Sequence, residues 1–299
     1  MNIDHDQLRA LAAVVREGSF ERAAAVLHVT PSAVSQRIKA LETRVGRVLV
    51  RRTTPVVATD DGQPLVQLAQ RTALLEHDAL QRLGLADDEA RPASLAVAVN
   101  HDSLETWFAD AATRFAARTH ATLDLHSEDQ DHTAALLRSC HVLGAVTTLA
   151  EPVQGCRLHA LGSMRYAATC SPAFHERHFA HGVTARALAV APMLVYNRKD
   201  AMQSRFAARI ARTQTLQPPM WWLPSTHLFV QATLAGLGWT MNPLPMIQSH
   251  LDAGRLVLLR QRAWEDVPLY WQHWHMPSPV MDALTDAVLA AAQPLIKPR

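Results

Sequence analysis

Residues 19–46 read SFERAAAVLHVTPSAVSQRIKALETRVG, and their apolar residues follow helical spacing in two short runs. Ser19 and Thr30 are candidate N-caps for the two runs, and Pro31 takes the first helical position of the second, where its missing N–H costs nothing. Gly46 is suited to end that helix. The apolar faces consist of Phe20, Ala23, Ala24 and Leu27 in the first run and Val34, Ile38, Leu41 and Val45 in the second. This pattern predicts a helix-turn-helix, with an ordinary two-helix hairpin as the alternative.

The second helix carries a polar face opposite its apolar one. Small hydroxyls, an amide and cations on one helix face are the groups that contact base edges and phosphates in a major groove. The candidate DNA-binding residues of this segment are Thr30, Ser32, Ser35, Gln36, Arg37 and Lys39.

The segment after Gly46, VLVRRTTPVVAT, alternates apolar residues around Arg51, Arg52 and Pro55. We interpret it as two short strands around a basic tip, which makes the module a winged helix-turn-helix. Nothing in this segment imposes a bidentate geometry, so Arg51 and Arg52 are expected to contact phosphates rather than bases.

The residues AAxxLxVTPSAVSQRIKALE, then Gly46 and RVLVRRT, closely resemble the amino-terminal domain of LysR-type transcriptional regulators. The resemblance covers both helices, the turn and the basic segment. It implies binding to double-stranded DNA, RNA polymerase as a partner, and a homodimer or a homotetramer.

The charge distribution agrees with a nucleic-acid module at the amino terminus. Residues 1–58 hold nine Lys and Arg against five Asp and Glu, whereas the rest of the chain holds 20 against 22. A basic segment of this kind is the footprint of phosphate contacts. No stretch approaches the ~20 apolar residues of a membrane helix, and MNIDHDQLRA is not a signal peptide. We therefore expect a cytoplasmic protein.

A long helix is predicted from Asp61 to Leu83. Thr59, Asp60 and Asp61 are candidates for its cap and its first-turn acids. Its apolar residues lie close to a heptad pattern: Leu65, Leu68, Leu75, Ala79 and Leu83. A core helix of the amino-terminal domain is the alternative, but the length favours a coiled-coil dimer helix, the role that the resemblance also implies.

From Ser94 onward, strands alternate with helices, which indicates an α/β fold with parallel sheets. The expected strands are LAVAVN, LDLHS, VLGAV, PMLVYN, MWWL, GLGWTMNP and PLYWQHWHM. Two such blocks predict a two-lobed, periplasmic-binding-protein-like effector domain with a ligand cleft. The expected domains are residues 1–58 (winged helix-turn-helix), 59–90 (linker and dimerisation helix) and 91–299 (effector domain).

Ligands of open α/β sheets bind at the carboxyl ends of the strands. The acids at those ends suit ammonium or guanidinium groups, and Ser103 and Thr226 at helix starts suit a carboxylate. The candidate effector-binding residues are Asn100, Asp102, Ser103, Glu128, Asp129, Thr147, Thr148, Asn197, Ser225 and Thr226.

Four segments, NHDSLETWF, LDLHSEDQDHT, LLRSCHVLGAVTT and HLFVQATLAGLGW, resemble regulators of arginine and lysine export, as does the opening REGSFERAA. The resemblance implies an effector, lysine or arginine, and control of an exporter gene. His227 departs from the acid expected in that group, which leaves a LysR-type regulator of another effector as an alternative.

Two further classes remain open, a solute-binding protein and an enzyme. The first leaves the winged module unexplained, and the second lacks a GxSxG, P-loop or HExxH motif. Cys140, Cys156 and Cys170 form no metal pair or disulfide framework. The 16 histidines are scattered, and His273 and His275 around Trp274 are interpreted as packed or surface residues. We predict no metal site and no cofactor.

Overall fold

The computed structural model describes residues 3–85, 93–128, 133–138, 141–212 and 216–295, with only the backbone of Glu128. The chain divides into two compact units. The first contains residues 1–99, 112–158 and 271–287, and the second contains residues 100–111, 159–270 and 288–299. Among the predicted positions, Asp129 and Cys140 lie outside the described residues, as does the boundary predicted between residues 90 and 91.

The amino-terminal part of the first unit begins with three helices, α1 (His5–Glu17), α2 (Phe20–Val26) and α3 (Pro31–Val45). The predicted caps are confirmed: Ser19 accepts a hydrogen bond from the Arg22 amide, and Thr30 accepts one from the Ala33 amide. Gly46 has φ of 73°, a left-handed conformation that glycine adopts without strain. The turn between α2 and α3 therefore follows from local sequence.

The predicted apolar faces of these helices meet in one core. Leu11 and Val14 of α1 and Val34, Ile38 and Leu41 of α3 are fully buried. Phe20, Leu27 and Val45, which were predicted on the apolar faces, are partly buried against the same cluster. The buried face of α3 leaves its polar face exposed to solvent.

A two-stranded wing follows, with β1 (Val50–Arg51) antiparallel to β2 (Val57–Ala58). Glu42 on α3 accepts a hydrogen bond of 2.8 Å from the Leu49 amide at the base of the wing. Thr59 donates its hydroxyl to the Val48 carbonyl across 2.7 Å. These side chains hold the wing against the helices, and the predicted winged module is confirmed.

Helix α4 (Gln63–Arg82) is the predicted long helix, but it begins at Gln63. Its N-cap is Gly62, without a side-chain hydrogen bond, whereas Thr59 accepts from the Gly62 amide in the preceding turn. The expectation that Asp60 and Asp61 occupy the first helical turn was therefore wrong, because the turn at Thr59 ends before the helix starts.

The two faces of α4 differ in their environment. Val66, Ala69, Leu74 and Asp78 are buried, whereas Leu68, Leu75 and Leu83 are 43%, 40% and 69% exposed. Leu65 packs on the amino-terminal core. Apart from Leu65, the predicted heptad residues thus lie on the outer face.

The rest of the chain contains nine strands and nine helices in its described part. In chain order they are β3 (Ser94–Asn100), α5 (His101–Thr106), α6 (Phe108–Ala116), β4 (Thr122–Glu128), α7 (Thr133–Arg138), β5 (Gly144–Thr147), β6 (Cys156–Cys170), α8 (Pro172–Phe179), α9 (Ala185–Val190), β7 (Met193–Val195), α10 (Met202–Ala211), β8 (Met220–Trp222), α11 (Thr226–Leu234), β9 (Thr240–Pro243), α12 (Leu244–Asp252), β10 (Val257–Leu258), β11 (Trp264–Trp274) and α13 (Pro279–Ala291).

In the first unit, β3 pairs in parallel with β5, as the alternation of strands and helices predicts. The end of β11, β5, β3 and β4 lie in this order in the sheet. The ring of Trp271, which is fully buried, occupies the space where Gly144 has no side chain. The single helix predicted through Trp107, Phe108 and Phe115 is two helices, α5 and α6, which are separated at Trp107.

In the second unit the sheets are mixed. Strand β7 pairs in parallel with β8, but β9 and β10 both pair antiparallel with the long strand β6. The parallel arrangement predicted for this block is therefore correct for β7, β8 and the bridge of Trp239 with Met193, and wrong for β9 itself. The prediction omitted β6, and without that partner β9 could be assigned only to the parallel pattern.

Candidate functional site

The exposed face of α3 is the first candidate site. Ser32, Gln36 and Lys39 are exposed. Gln36 and Lys39 line a shallow concavity with Ala40, Thr43 and Arg44. Neither the Gln36 amide nor the Lys39 ammonium has a hydrogen-bond or ion-pair partner within the part of the chain that the structure describes. Both groups are thus available to a nucleic acid.

Other residues predicted on this face hold the module together. Thr30 caps α3. Arg37 donates to Asp6 Oδ2 on α1 across 2.9 Å, so its guanidinium is already paired. Ser35 lies 3.5 Å from Arg52 Nη2. We therefore assign these residues a supporting role in addition to any contact with DNA.

The wing presents two arginines with different surroundings. The Arg52 guanidinium lies over the Phe20 ring, 4.9 Å from its centroid, and this contact with α2 limits its freedom. Arg51 is exposed on β1 and has no ion-pair partner among the described residues. Arg51 is thus the unpaired cation at the tip of the wing, suited to a phosphate.

The second candidate site is centred on Asp102 in the first turn of α5, within the second unit. Tyr166 on β6 donates its hydroxyl to Asp102 Oδ2 across 2.6 Å. Thr226 at the start of α11 donates to Asp102 Oδ1 across 3.1 Å. Each carboxylate oxygen thus receives one hydrogen bond, and each keeps a further acceptor position.

The electrostatic environment of Asp102 favours a cationic ligand. Burial raises the pKa of the Asp102 carboxyl, while the hydrogen bonds from Tyr166 and Thr226 and the charge of His101 partly lower it. Asp200 adds a like charge that raises the same pKa. A guanidinium or ammonium group would offset both unfavourable effects on the ionised carboxylate.

Aromatic rings lie beside this carboxylate. The ring of Tyr196 packs against that of His101, with centroids 5.1 Å apart, and against Phe229 at 6.0 Å. Asp200 accepts from the Tyr196 amide across 3.1 Å. These contacts hold Tyr196 against His101, the residue that precedes Asp102, and the Tyr196 ring offers a face to a planar cation.

Two buried polar atoms nearby lack a partner. Asn100 and Ser103 are 3% and 0% exposed, and Asn100 Oδ1 and Ser103 Oγ make no hydrogen bond within the described residues. Buried polar atoms in native proteins are nearly always satisfied, so each such atom calls for an explanation. A polar ligand beside Asp102 would provide hydrogen bonds for both atoms and is one such explanation.

The remaining predicted residues have other contacts. Ser225 caps α11 by accepting from the Leu228 amide, and Asn197 Oδ1 accepts from the Lys199 amide across 2.7 Å. Thr147 Oγ1 accepts from the Leu149 amide, and Thr148 is partly buried. Thr147 and Thr148 belong to the first unit. Asp129 and the side chain of Glu128 lie outside the described residues.

Thr226 makes one contact that the sequence did not predict. Its hydroxyl donates to Asp102, while the carboxylate-binding role expected of it rests on the N–H groups at the start of α11 and stays a prediction. The carboxylate-binding role was inferred from the position of Thr226 at a helix start, and the proximity of Asp102 could not be read from that position.

Sequence reasoning missed Tyr166, Tyr196 and Asp200. Tyr166 lies on β6, which the strand prediction omitted. The chain has only three tyrosines, and two of them lie in this cluster. Tyrosine scarcity was therefore a signal that could have singled out both residues.

The described residues show neither a metal-binding cluster nor a membrane-spanning helix. Within those ranges, no group of three or more His, Cys, Asp or Glu side chains is placed to hold a metal ion. Cys156 and Cys170 form no disulfide within the described residues. None of the described helices is both long enough and apolar enough to cross a membrane.

Comparisons with known proteins match both the amino-terminal module and the α/β part of the chain. Residues 5–63 match the family described as bacterial regulatory helix-turn-helix protein, lysR family, and residues 89–293 match the LysR substrate binding domain. A crystal structure of ArgP from Mycobacterium tuberculosis has 46% identity and a TM-score of 0.87, covering 100% of both chains.

Two further relatives add detail. Full-length LysG from Corynebacterium glutamicum, solved with bound effector Arg, is 38% identical with a TM-score of 0.77, covering 99% of this chain and 100% of that one. The lysine export transcriptional regulatory protein LysG of Corynebacterium efficiens is 41% identical over 96% of this chain and 97% of that protein. These relatives are regulators rather than enzymes. The chain belongs to the LysR family of bacterial transcriptional regulators.

Proposed function

We propose that this regulator senses a free basic amino acid, arginine or lysine, and controls an exporter gene for it. The observation that carries the proposal is the Asp102 carboxylate, which is partly buried, hydrogen-bonded by Tyr166 and Thr226, and in no ion pair with a Lys or Arg side chain of the described residues. The arginine-bound LysG of Corynebacterium glutamicum supports this choice of ligand.

In this proposal the ligand's guanidinium or ammonium group lies against Asp102 and the ring of Tyr196. Arginine suits such a carboxylate because its planar fork can bond both oxygens at once and can stack on an aromatic ring. Asn100 and Ser103 supply further hydrogen bonds, since their buried oxygens lack partners. The predicted contributions of Glu128, Asp129, Thr147, Thr148, Asn197 and Ser225 remain part of the proposal.

The regulator is proposed to act in the cytoplasm as a homodimer or homotetramer. Its α3 helices would read two half-sites of double-stranded DNA, and RNA polymerase would be the partner at the promoter. Residues 1–58, 59–90 and 91–299 are the proposed DNA-binding, linker and effector domains. A ligand shifts such a system only through its different affinity for two conformations.

Isothermal titration calorimetry with arginine, lysine, histidine and glutamate tests the effector. We expect arginine and lysine to bind and glutamate not to bind. Asp102→Asn should weaken arginine binding at least tenfold, whereas Glu105→Gln, an exposed acid on the same helix, should leave it unchanged. Preferential binding of glutamate, or equal arginine affinity in Asp102→Asn and the parent, would refute the proposal.

A mobility-shift assay tests the regulatory part. The purified protein should retain a fragment from its own gene neighbourhood over sheared genomic DNA, with an affinity that changes when the bound amino acid is added. If the protein retains every DNA fragment equally, it does not recognise a specific operator, and the proposal is contradicted.

A further inference from the structure

A buried carboxylate oxygen without a hydrogen-bond partner among the described residues lies on helix α4. Asp78 is only 6% exposed, and its Oδ2 atom is buried with no hydrogen-bond partner among the described residues. Buried carboxylates in proteins are normally paired or hydrogen-bonded, because desolvation without compensation is costly. Packing alone does not account for a buried carboxylate at position 78, so the groups around Asp78 need to be considered.

Asp78 lines a cavity of about 430 Å³ within the first unit. One wall is helix α4, a second is the loop from α6 to β4, and a third is the start of α13. None of the residues predicted for the effector or for DNA lines this cavity. It is thus a separate site, in which α4 meets the α/β part of the same unit.

Cations share the cavity with Asp78. Arg82, one helical turn beyond Asp78 on α4, is exposed and has no ion-pair partner among the described residues. Arg118 lies on the opposite wall, and its guanidinium donates to Asp286 Oδ2 across 3.1 Å. The cavity thus offers one carboxylate and one unpaired guanidinium, with a second guanidinium already engaged. Its other polar lining residues are His77, Gln81, Thr119 and His120.

The remaining wall is apolar. Ala121, Val280 and Ala283 line it, and they offer no hydrogen bond from their side chains. A ligand that fills this cavity must therefore satisfy both charges at one side and present a short aliphatic group at the other.

These features exclude simpler occupants. A lone cation would leave the Arg82 guanidinium without a partner, and a lone anion would leave Asp78 without one. A metal ion lacks ligands, since the described residues contain no group of three His, Cys, Asp or Glu placed to hold one. A dipolar molecule satisfies each of these conditions.

We propose that this cavity binds a free α-amino acid with a short aliphatic side chain. Its ammonium group donates to Asp78, its carboxylate pairs with Arg82, and its side chain packs on Ala121, Val280 and Ala283. A charge-assisted hydrogen bond to a buried carboxylate is among the stronger polar contacts available to a small ligand. The bound molecule would connect α4 to the α/β part of the first unit.

Titration calorimetry of the full-length protein with L-alanine, L-alaninamide and propionate tests the proposal. L-Alanine should bind, L-alaninamide should bind at least fivefold more weakly because it lacks the carboxylate, and propionate should not bind because it lacks the ammonium. Propionate binding as tight as that of L-alanine would overturn the role of Asp78.

Variants locate the site. Asp78→Asn keeps the shape of the side chain and should weaken L-alanine binding at least tenfold, and Arg82→Gln should weaken it by a smaller factor. Glu76→Gln is the matched control, because Glu76 is an exposed acid on the same helix. L-Alanine affinity that is equal in Asp78→Asn and the parent would overturn the location.

A folding defect is separated from loss of the site by a second variant. Val280→Met should fill part of the cavity and abolish L-alanine binding, while the parent affinity for arginine at the Asp102 site is retained. The Asp102→Asn variant should in turn keep its affinity for L-alanine. The expected dissociation constant for L-alanine is ~1 mM. If the parent protein shows no L-alanine binding at about 20 times that concentration, the proposal is overturned, whatever the outcome at Asp102.

Discussion

Tyr166 donates its hydroxyl to Asp102 Oδ2 across 2.6 Å, which joins the long strand β6 to the first turn of α5. The two residues are 64 positions apart in the chain. Thr226 bonds the other oxygen of the same carboxylate. The orientation of Asp102 is therefore determined from two other elements of its unit rather than by its own short helix.

Removal of the Tyr166 hydroxyl should impair effector binding. A hydrogen bond to a charged group contributes about 1.5–3 kcal/mol, so Tyr166→Phe is expected to weaken arginine binding by about one order of magnitude. Calorimetry would measure this change. Tyr270→Phe, which changes the third tyrosine of the chain, is the control and should retain the parent affinity. An unchanged affinity in Tyr166→Phe would show that this bond does not orient the carboxylate for the ligand.

Arginine binding should weaken as the pH falls. The folded-state pKa of Asp102 is raised by burial, and only the ionised carboxylate attracts a guanidinium. The stability contributed by protonated Asp102 is fully present below its ordinary pKa of 3.8 and is lost as the pH rises through the raised value. Arginine affinity should therefore fall as the Asp102 carboxylate becomes protonated. This fall should occur at a higher pH than for an aspartate with an ordinary pKa.

The matched variant distinguishes this effect from general acid destabilisation. In Asp102→Asn the arginine affinity, although weak, should change less than that of the parent protein as the pH is lowered from neutral. Equal pH dependence in both proteins would assign the titration to another group.

Gln36 and Arg51 should affect DNA binding differently. A good base contact contributes about 1–3 kcal/mol of discrimination, so Gln36→Ala should weaken specific binding more than non-specific binding. Arg51→Ala should weaken both and reduce the salt dependence, because it removes a phosphate contact. Mobility shifts on an operator and a scrambled fragment at several salt concentrations would measure both. Equal loss in both assays for both variants would contradict the assignment.

The exposed leucines of α4 should mediate self-association. Leu68→Arg and Leu75→Arg place a charge on the outer face of α4, where a dry interface would leave it unpaired. Sedimentation should show a smaller oligomer for both variants. Glu76→Gln serves here as the matched surface change and should leave the oligomer intact. An unchanged oligomer in the leucine variants would mean that the interface lies elsewhere.

Gly62 should be intolerant of a side chain. An added Cβ would overlap the carbonyl group of Leu49, with its carbonyl carbon 2.9 Å away. Overpacking of this kind costs about 1–3 kcal/mol, so Gly62→Ala should lower the denaturant midpoint. Gly84→Ala is the comparison, since no atom lies within 4 Å of its added Cβ and only its φ of 64° is unfavourable. A midpoint lowered equally in the two variants would contradict the predicted clash.

The sequence by itself determined the amino-terminal module. Its caps at Ser19 and Thr30, its stop at Gly46 and its apolar faces are local features, and a helix depends on contacts within a few residues of each position. The strands β3 and β5 were also predictable, because they are short buried runs bounded by polar residues. Strand β4 was predicted from LDLHS, although its side chains are largely exposed.

Tertiary structure alone decided the rest. Strand β6 is specified by pairing with β9 and β10, which lie far along the chain. The neighbours of Asp102 come from β6 and α11, and the inner and outer faces of α4 were decided by what packs against them. Long-range pairing and burial leave no local pattern in sequence, which is the physical reason that Tyr166 and Asp78 became visible only in the folded chain.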